Sequence, residues 1–172
     1  MTSDLSGDCR ENWNLWLRKH LPAMVLFARQ WAAGRPDAED AVQMAFAEFW
    51  PQRDKVDDAL AFVYSRTRRR AIDLSRRQAR RSKYERTPLL QAIETNQTSE
   101  LENAQRTAMI EKVLQKLPEA QREVIVLKIW GGLSFSQIAE TLEISANTAA
   151  SRYRCGLARL QESLAQEVKN ER

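Results

Sequence analysis

Apolar residues recur every three or four positions along most of the chain, a spacing typical of amphipathic helices. In the first half this pattern predicts three helices. The first ends before Gly34 and contains Pro22, which is expected to kink or divide it. The second runs over residues 38–50, with Asp37 as its N-cap. A polar loop separates it from the third, which is expected to be capped near Asp58.

The pattern weakens in the middle of the chain and then resumes. Residues 87–100 are rich in polar side chains, which indicates a linker. Helical spacing runs again from Leu101 to Leu117, and Pro118 starts a helix that ends at Gly131. The apolar residues expected to be buried in that helix are Val124, Ile125, Leu127 and Ile129. The pattern therefore predicts an all-α fold of two small helical domains joined by a flexible linker.

The sequence after Gly132 predicts two helices joined by a tight turn. Ser134 and Gln137 form a capping-box pair, so a helix should begin at the residue after Ser134. Residues 143–145 form the break, and a second helix starts near Ala146 or Asn147. Its inner stripe is Ala149, Tyr153, Leu157, Leu160 and Leu164. Such a pair is a helix-turn-helix, whose second helix can enter a DNA major groove.

Basic residues are concentrated in two places. The outer face of the last helix carries side chains that suit base edges and phosphates, namely Asn147, Ser151, Arg152, Arg154 and Arg159. Between Arg66 and Arg86, ten basic residues face only two acidic ones. Solvated helices usually mix the two signs, so this clustering favours a surface that binds a polyanion. The alternative for this run is a solvated charged helix, and the alternative for the helix-turn-helix is an ordinary helical hairpin with a solvated basic face.

Composition narrows the class of protein further. With 172 residues, 43% of them hydrophobic, the chain fits one sizeable domain or two small ones. No apolar run approaches the roughly 20 residues that span a bilayer, and residues 1–11 lack the apolar core of a secretory signal, so a cytoplasmic protein is expected. Cys9 and Cys155 are expected to be free thiols, and we expect no metal or other cofactor. His20 is the single histidine, and no enzyme is expected.

Four stretches of the chain together resemble the extracytoplasmic-function sigma factors, two-domain bacterial transcription initiation factors of the sigma-70 superfamily. They are residues 37–43 with Phe46 and Trp50, residues 71–74 with Arg76 and Arg77, residues 117–118 with 121–124, and residues 132–134 with 138–139. The resemblance covers residues 12–165. It implies sigma region 2 at residues 10–86, a linker at 87–103, and region 4, a winged-helix-like helix-turn-helix, at 104–168.

The resemblance also implies the partners and the residues that bind them. The first domain would dock on the clamp of the largest subunit of core RNA polymerase, and the second on the flap. The residues implied at the clamp are Glu39, Asp40, Gln43, Met44 and Ala47. Here Met44 takes the place of a frequent acidic residue, which would make the contact more apolar. An anti-sigma factor is a further expected partner, and no membrane insertion is expected.

Promoter DNA would be contacted by both domains, as the resemblance implies. At the −10 element the implied residues are Arg53, Lys55, Arg66, Arg69, Arg70, Arg76, Arg77 and Arg80. Arg53 and Lys55 belong to a loop of residues 52–57 that resembles the pocket for an extruded base. At the −35 element the implied residues are Asn147, Ala150, Ser151, Arg152, Arg154, Cys155 and Arg159. Ala150 and Cys155 replace common basic residues there.

Two other functions remain open at this stage. A free-standing helix-turn-helix regulator would bind duplex DNA without polymerase, but it would leave the acidic and basic helices of the first domain without linked roles. A helical adaptor for acidic protein partners would show DNA binding that does not depend on salt, or no DNA binding even with polymerase.

Overall fold

The computed structural model describes the backbone of residues 5–84 and 112–170, and side chains at residues 13–80, 112–163 and 165. The helices are α1 (Leu5–Ala28), α2 (Arg35–Phe49), a 3-10 helix (Trp50–Lys55), α3 (Ala59–Tyr84), α4 (Glu119–Ile129), α5 (Phe135–Leu142) and α6 (Ala146–Asn170). Residues 112–115 are also helical. The all-α prediction is confirmed, whereas the predicted linker and the side chains of Cys9 and Leu164 lie outside the described residues.

In the first half, α2 packs against both α1 and α3. Its buried residues are three alanines with Val42 and Phe49, and they face Met24 and Phe27 from α1 and Tyr64 from α3. The rings of Phe27 and Tyr64 meet edge to face at 5.5 Å between centroids. Because aromatic side chains bury a large apolar area each, this layer supplies much of the stabilisation of the first domain.

The start of α2 differs from the prediction. The helix begins at Arg35 and its N-cap is Gly34, which makes no side-chain capping bond, so Asp37 lies inside the first turn. Pro36 accounts for the earlier start, because a residue without an N–H loses nothing in the first turn and its fixed φ is already helical. Asp37 still stabilises the helix there through its charge near the positive end of the dipole.

Two other local predictions in the first half differ from the structure. Of the two effects expected of Pro22, division of the helix does not occur, since Pro22 lies inside α1, and Trp16 before it and Met24 after it pack on the same core. Packing on both sides therefore outweighs the hydrogen bond that proline removes. The expected polar loop of residues 52–57 is largely a 3-10 helix, Trp50–Lys55, with Pro51 in its first turn.

The second half contains the predicted helix-turn-helix. Ser134 Oγ accepts a hydrogen bond from the Gln137 N–H, and Gln137 Oε1 accepts one from the Ser134 N–H, so the capping box is complete. Glu143 ends α5 in the left-handed conformation, with φ 55°, and α6 begins at Ala146 as predicted. Residues 112–170 contain no strand, so the helix-turn-helix described here has no β-wing.

The predicted burial of α4 is correct in its middle and wrong at its end. Val124, Ile125 and Leu127 are fully buried, but Ile129 is 45% exposed. Residues 123–127 are all buried, so the middle of α4 is enclosed on several sides, while its last residue lies at the surface. Gly156 of α6 passes close to this helix, since a Cβ there would lie 3.0 Å from Ile125 Cγ1.

The two halves pack against each other through one continuous core. It joins Met24 and Tyr64 of the first half to Leu127, Leu133 and Ile138 of the second. Polar contacts between the halves add to this core at its edges. In this arrangement α5 lies against α3, and α4 lies against α1.

Candidate polymerase and nucleic-acid interfaces

An open, mostly apolar groove of about 760 Å³ runs between α1 and α2. Its lining residues are Leu17, Leu21, Glu39, Val42, Gln43, Phe46, Ala47 and Trp50. Three residues of the set implied at the polymerase clamp, Glu39, Gln43 and Ala47, therefore line one groove. Asp40 and Met44 are exposed beside them. Glu39 is already paired, since its Oε1 lies 2.7 Å from Arg35 Nε.

The middle of α3 carries arginines that are bound within the protein. Glu48 of α2 is bracketed by two of them, with an ion pair to Arg70 and a distance of 3.8 Å between Glu48 Oε2 and Arg66 Nε. The Arg66 guanidinium also lies 5.0 Å from the centre of the Phe62 ring. The single negative charge of Glu48 thus offsets part of the charge of two arginines that the resemblance assigned to promoter DNA.

Arg68 makes an ion pair that crosses between the two halves. Its Nε lies 2.6 Å from Oε1 of Glu123, a side chain of α4 that is 4% exposed. Burial raises the pKa of Glu123, and the hydrogen bond and charge of Arg68 oppose that rise. The guanidinium also lies 5.6 Å from the centre of the Trp31 ring. Arg68 was not among the implied DNA contacts, and the structure gives it a role in joining the halves.

The C-terminal end of α3 is different. Arg76, Arg77 and Arg80 are exposed, as is Arg69 nearer the middle, and within the described ranges none of the four is in an ion pair. Arg69 and Arg76 border a polar cleft of about 840 Å³ between α3 and the second half. The opposite wall of the cleft includes the carboxylates of Glu140 and Glu143. The implied set for the −10 element is therefore split between bound and exposed arginines.

The 3-10 helix holds Arg53 and leaves Lys55 exposed. Arg53 Nη1 donates to the Trp50 carbonyl at 2.8 Å, and its guanidinium lies 4.5 Å from the centre of the Trp50 ring. Arg53 Nη2 also lies 3.5 Å from Asp54 Oδ2. With these contacts Arg53 is fixed in orientation beside α2, while Lys55 extends into solvent.

The residues of α6 that were implied at the −35 element do not all face the same way. Asn147, Ser151, Arg154, Cys155 and Arg159 are exposed, whereas Ala150 and Arg152 are half-buried. Burial raises the pKa of Glu123, and the charge of Arg152 acts against that rise. The Ser145 hydroxyl accepts a hydrogen bond from the Thr148 N–H at 3.0 Å and caps the start of α6.

Side chains that join the halves were missed by sequence reasoning. Trp31 Nε1 donates to Glu119 Oε1 at 3.0 Å, and Gln137 Nε2 donates to Asp58 Oδ2 at 2.8 Å. These partners are 88 and 79 residues apart in sequence. No spacing rule links residues that far apart, so the sequence held no signal for these pairs.

In the described part of the chain, no helix is long and apolar enough to cross a membrane. The same residues contain no group of three or more His, Cys, Asp or Glu side chains that could hold a metal ion.

Comparisons with known proteins agree with the two-part architecture. The family model for Sigma-70 region 2 matches residues 16–81, and that for Sigma-70 region 4 matches residues 107–160. The RNA polymerase sigma-E factor of Streptomyces coelicolor is 31% identical over 150 residues, which are 87% of this chain and 84% of the relative. RNA polymerase sigma factor SigZ of Bacillus subtilis is 26% identical over 88% of this chain and 85% of its own.

Two solved structures share the fold. One is the sigma factor RpoE of Bartonella quintana in complex with the anti-sigma factor NepR, with a TM-score of 0.67 and 23% identity, covering 90% of this chain and 98% of that one. The other is CnrH in complex with the cytosolic domain of CnrY, with a TM-score of 0.65 and 23% identity, covering 94% of this chain and 92% of that one.

A helical domain followed by a helix-turn-helix domain, each matched by its own sigma model, defines a two-domain transcription initiation factor. The chain belongs to the sigma-70 family, within its extracytoplasmic-function group. Its function is to bind core RNA polymerase and direct the enzyme to promoters. The free-standing regulator is not favoured, because it does not account for the region 2 match.

Proposed function

We propose that three surfaces of this sigma factor divide the work of initiation. The groove between α1 and α2 binds the polymerase clamp, the exposed end of α3 binds the −10 element, and the outer face of α6 binds the −35 element. The observation that carries the proposal is the group of exposed arginines at the end of α3, Arg76, Arg77 and Arg80, which form no ion pair within the part of the chain that the structure describes. Polymerase performs the chemistry, so the chain itself is not an enzyme and acts in the cytoplasm.

The polymerase surface rests on the groove and its rim. An apolar floor that includes Val42 and Phe46 favours burial of a partner helix, and the exposed Asp40 and Gln43 supply polar contacts at the edge. A carboxylate and an amide suit basic side chains through charge-assisted hydrogen bonds. Glu39 contributes less, because its charge is already shared with Arg35.

The DNA surfaces rest on exposure and on charge. Arg76, Arg77 and Arg80 offer three positive charges to phosphates around the melting duplex. On α6, Asn147, Ser151 and Arg154 lie at helical spacing on the exposed face, which suits base edges in a major groove. Ala150 and Arg152 are half-buried and are assigned supporting roles, and Cys155 is an exposed thiol on the same face.

We also propose an anti-sigma factor as a partner, in keeping with the complexes of the two similar structures. Its segment would cover the groove between α1 and α2, because an open apolar groove is costly to leave hydrated. Competition between that partner and core polymerase for the full-length chain tests this point.

Run-off transcription with purified bacterial core polymerase and fragmented genomic template tests the proposed function. We expect new transcripts that depend on the protein. A variant with Asp40→Ala and Gln43→Ala should lower affinity for core about tenfold, the loss of roughly two interfacial hydrogen bonds. The matched control is Gln161→Ala with Glu162→Ala, which removes the same two chemistries from exposed positions on α6. Equal affinities for the two variants would remove the groove from the polymerase interface.

A further inference from the structure

The side chain of Gln137 lies between the N-terminal caps of two helices that belong to different halves. Its Oε1 accepts from the Ser134 N–H at 2.8 Å at the start of α5, and its Nε2 donates to Asp58 Oδ2 at 2.8 Å. The other oxygen of that carboxylate, Oδ1, accepts from the Ala61 N–H at 3.0 Å and caps α3. These four residues, Ser134, Gln137, Asp58 and Ala61, form one hydrogen-bonded unit, here called the cap bridge.

The chemistry of the cap bridge requires an amide at position 137. An amide carries both an acceptor and donors, so Gln137 can cap α5 with its oxygen and still donate to Asp58 with its nitrogen. A carboxylate at this position would cap α5 equally well, but it would face the carboxylate of Asp58 at hydrogen-bond distance. Two carboxylates that share such a site repel each other.

The position of the cap bridge gives it a consequence for DNA binding. It holds α5 against α3 at the edge of the polar cleft, where Arg69 and Arg76 lie on one wall and Glu140 and Glu143 on the other. While the halves are closed, these carboxylates lower the positive potential of the cleft. The second half also restricts the access of a duplex to α3. Phosphates and the second half therefore compete for the same side of α3.

We propose that the cap bridge is an intramolecular lock that keeps the halves closed in the protein without polymerase, and that its opening exposes α3 to promoter DNA. The link to DNA rests on the proposed role of α3, whereas the lock itself does not. The ion pair between Arg68 and Glu123 and the shared core also hold the halves together. The cap bridge differs from them in one respect. Replacing the amide at position 137 by a carboxylate turns its attraction to Asp58 into repulsion and leaves the volume of the side chain nearly unchanged.

The lock can be tested by measuring the distance between the halves in the full-length protein. Spin labels are attached to the exposed Cys155 of α6 and to the thiol introduced by Asp54→Cys, a position that is 78% exposed, in a background with Cys9→Ser. Double electron–electron resonance then reports the distribution of distances. For wild type we expect one narrow population, and for Gln137→Glu a ratio of open to closed molecules about tenfold higher.

The second substitution, Asp58→Asn, makes the test specific. Asparagine is as good an N-cap as aspartate, so α3 should be retained in the single variant. In the double variant, the amide introduced at position 58 can donate to the carboxylate introduced at position 137, and the closed population should return. Hydrogen exchange at the amides of Ala61 and Gln137 checks that both caps persist in every variant.

Each result decides one part of the proposal. Opening in Gln137→Glu that is reversed in the double variant supports the lock. An unchanged distance in Gln137→Glu overturns the lock, and so does opening that the double variant does not reverse. Neither result bears on the proposed function, which is tested separately by polymerase-dependent transcription. Duplex binding without polymerase, measured by fluorescence anisotropy, should strengthen several-fold in Gln137→Glu. If the halves open but duplex affinity stays the same, the link to DNA is overturned while the lock stands.

Discussion

Two stretches of α3 use the same residue type in opposite ways. In the middle of the helix, Arg68 is bound by Glu123 and Arg70 by Glu48, so these charges hold neighbouring helices in place. At the C-terminal end, Arg76 and Arg77 are exposed and make no ion pair with any described carboxylate. The net charge of a segment is therefore a poor measure of the charge that it offers to a ligand, because neighbouring helices offset part of it.

Helix length explains the difference. With 26 residues α3 is ~39 Å long, whereas α2, which packs along it, has 15 residues and reaches only ~22 Å. The middle of α3 lies beside α2 and α4, whose carboxylates can reach it. Its end extends past the partner that supplies Glu48, and three of the four exposed arginines, Arg76, Arg77 and Arg80, lie there.

The largest effect that would sharpen this comparison is expected for Arg68→Ala. The change leaves the buried carboxylate of Glu123 without its main partner, so the free energy of unfolding should fall by about 2 kcal/mol. That is less than for fully buried pairs, because the Arg68 side chain is 35% exposed. Urea unfolding measures the loss, and Arg77→Ala is the matched control, with a change below about 0.5 kcal/mol. Equal losses in the two variants would erase the distinction between the stretches.

The same variant predicts a dependence on pH. Burial raises the pKa of Glu123 above its ordinary value of 4.5, and the removal of Arg68 should raise it further. A carboxyl whose pKa is higher in the folded protein favours folding when it is protonated, and that contribution is lost as pH rises through the folded pKa. The deficit of Arg68→Ala should therefore be small near pH 4 and larger at pH 7. A deficit that is independent of pH would mean that Glu123 is not the cause.

A smaller effect, on DNA and not on folding, is expected from the other end of α3. Arg76→Ala with Arg77→Ala should reduce open-complex formation about tenfold. The slope of log promoter affinity against log salt concentration should also decrease, by the equivalent of roughly two phosphate contacts. Affinity for core polymerase should be nearly unchanged, since neither residue is near the groove. Permanganate footprinting with core and a promoter template measures melting, and Gln78→Ala controls for exposed truncation of the same helix turn. A collapse of core binding would contradict the division of roles.

The smallest effect is expected from Glu48→Gln. This change would reduce the difference between the two stretches, because arginines in the middle of α3 would lose their ion pairs and resemble those at its end. Loss of this charge leaves Arg66 and Arg70 without their ion-pair partner, so duplex affinity of the protein should rise about two- to threefold, with a steeper salt dependence. Fluorescence anisotropy over a range of salt concentrations provides the measurement. An unchanged salt dependence would show that the shape of the surface, and not Glu48, keeps DNA from these arginines.

Local signals in the sequence predicted much of the fold. The capping box of Ser134 and Gln137 placed the start of α5 correctly, and Asp58 caps α3 as expected. Both are contacts between residues three positions apart, which a sequence pattern can specify. The error at Asp37 was also local, because Pro36 fits the first turn of a helix and moves its start.

The charged contacts of the candidate site could not be predicted in the same way. Arg68 and Glu123 are 55 residues apart, and Glu48 and Arg70 are 22 apart. Their pairing depends on how whole helices pack, and a charge count in one segment carries no information about carboxylates supplied by another. The same reason hides the contact between Asp58 and Gln137, although each residue was recognised as a cap by itself.

One consequence of Trp31 concerns how motion of the protein could be observed. Its indole N–H donates a hydrogen bond to Glu119, and its ring lies near the Arg68 guanidinium. These two charged groups belong to different helices, and Glu119 belongs to the opposite half of the protein. Separation of the halves would replace that carboxylate with water, and the wavelength of maximum fluorescence emission of the indole would shift. The protein thus carries a native optical reporter of its own opening, and the difference spectrum against Trp31→Phe would isolate that signal from the other four tryptophans.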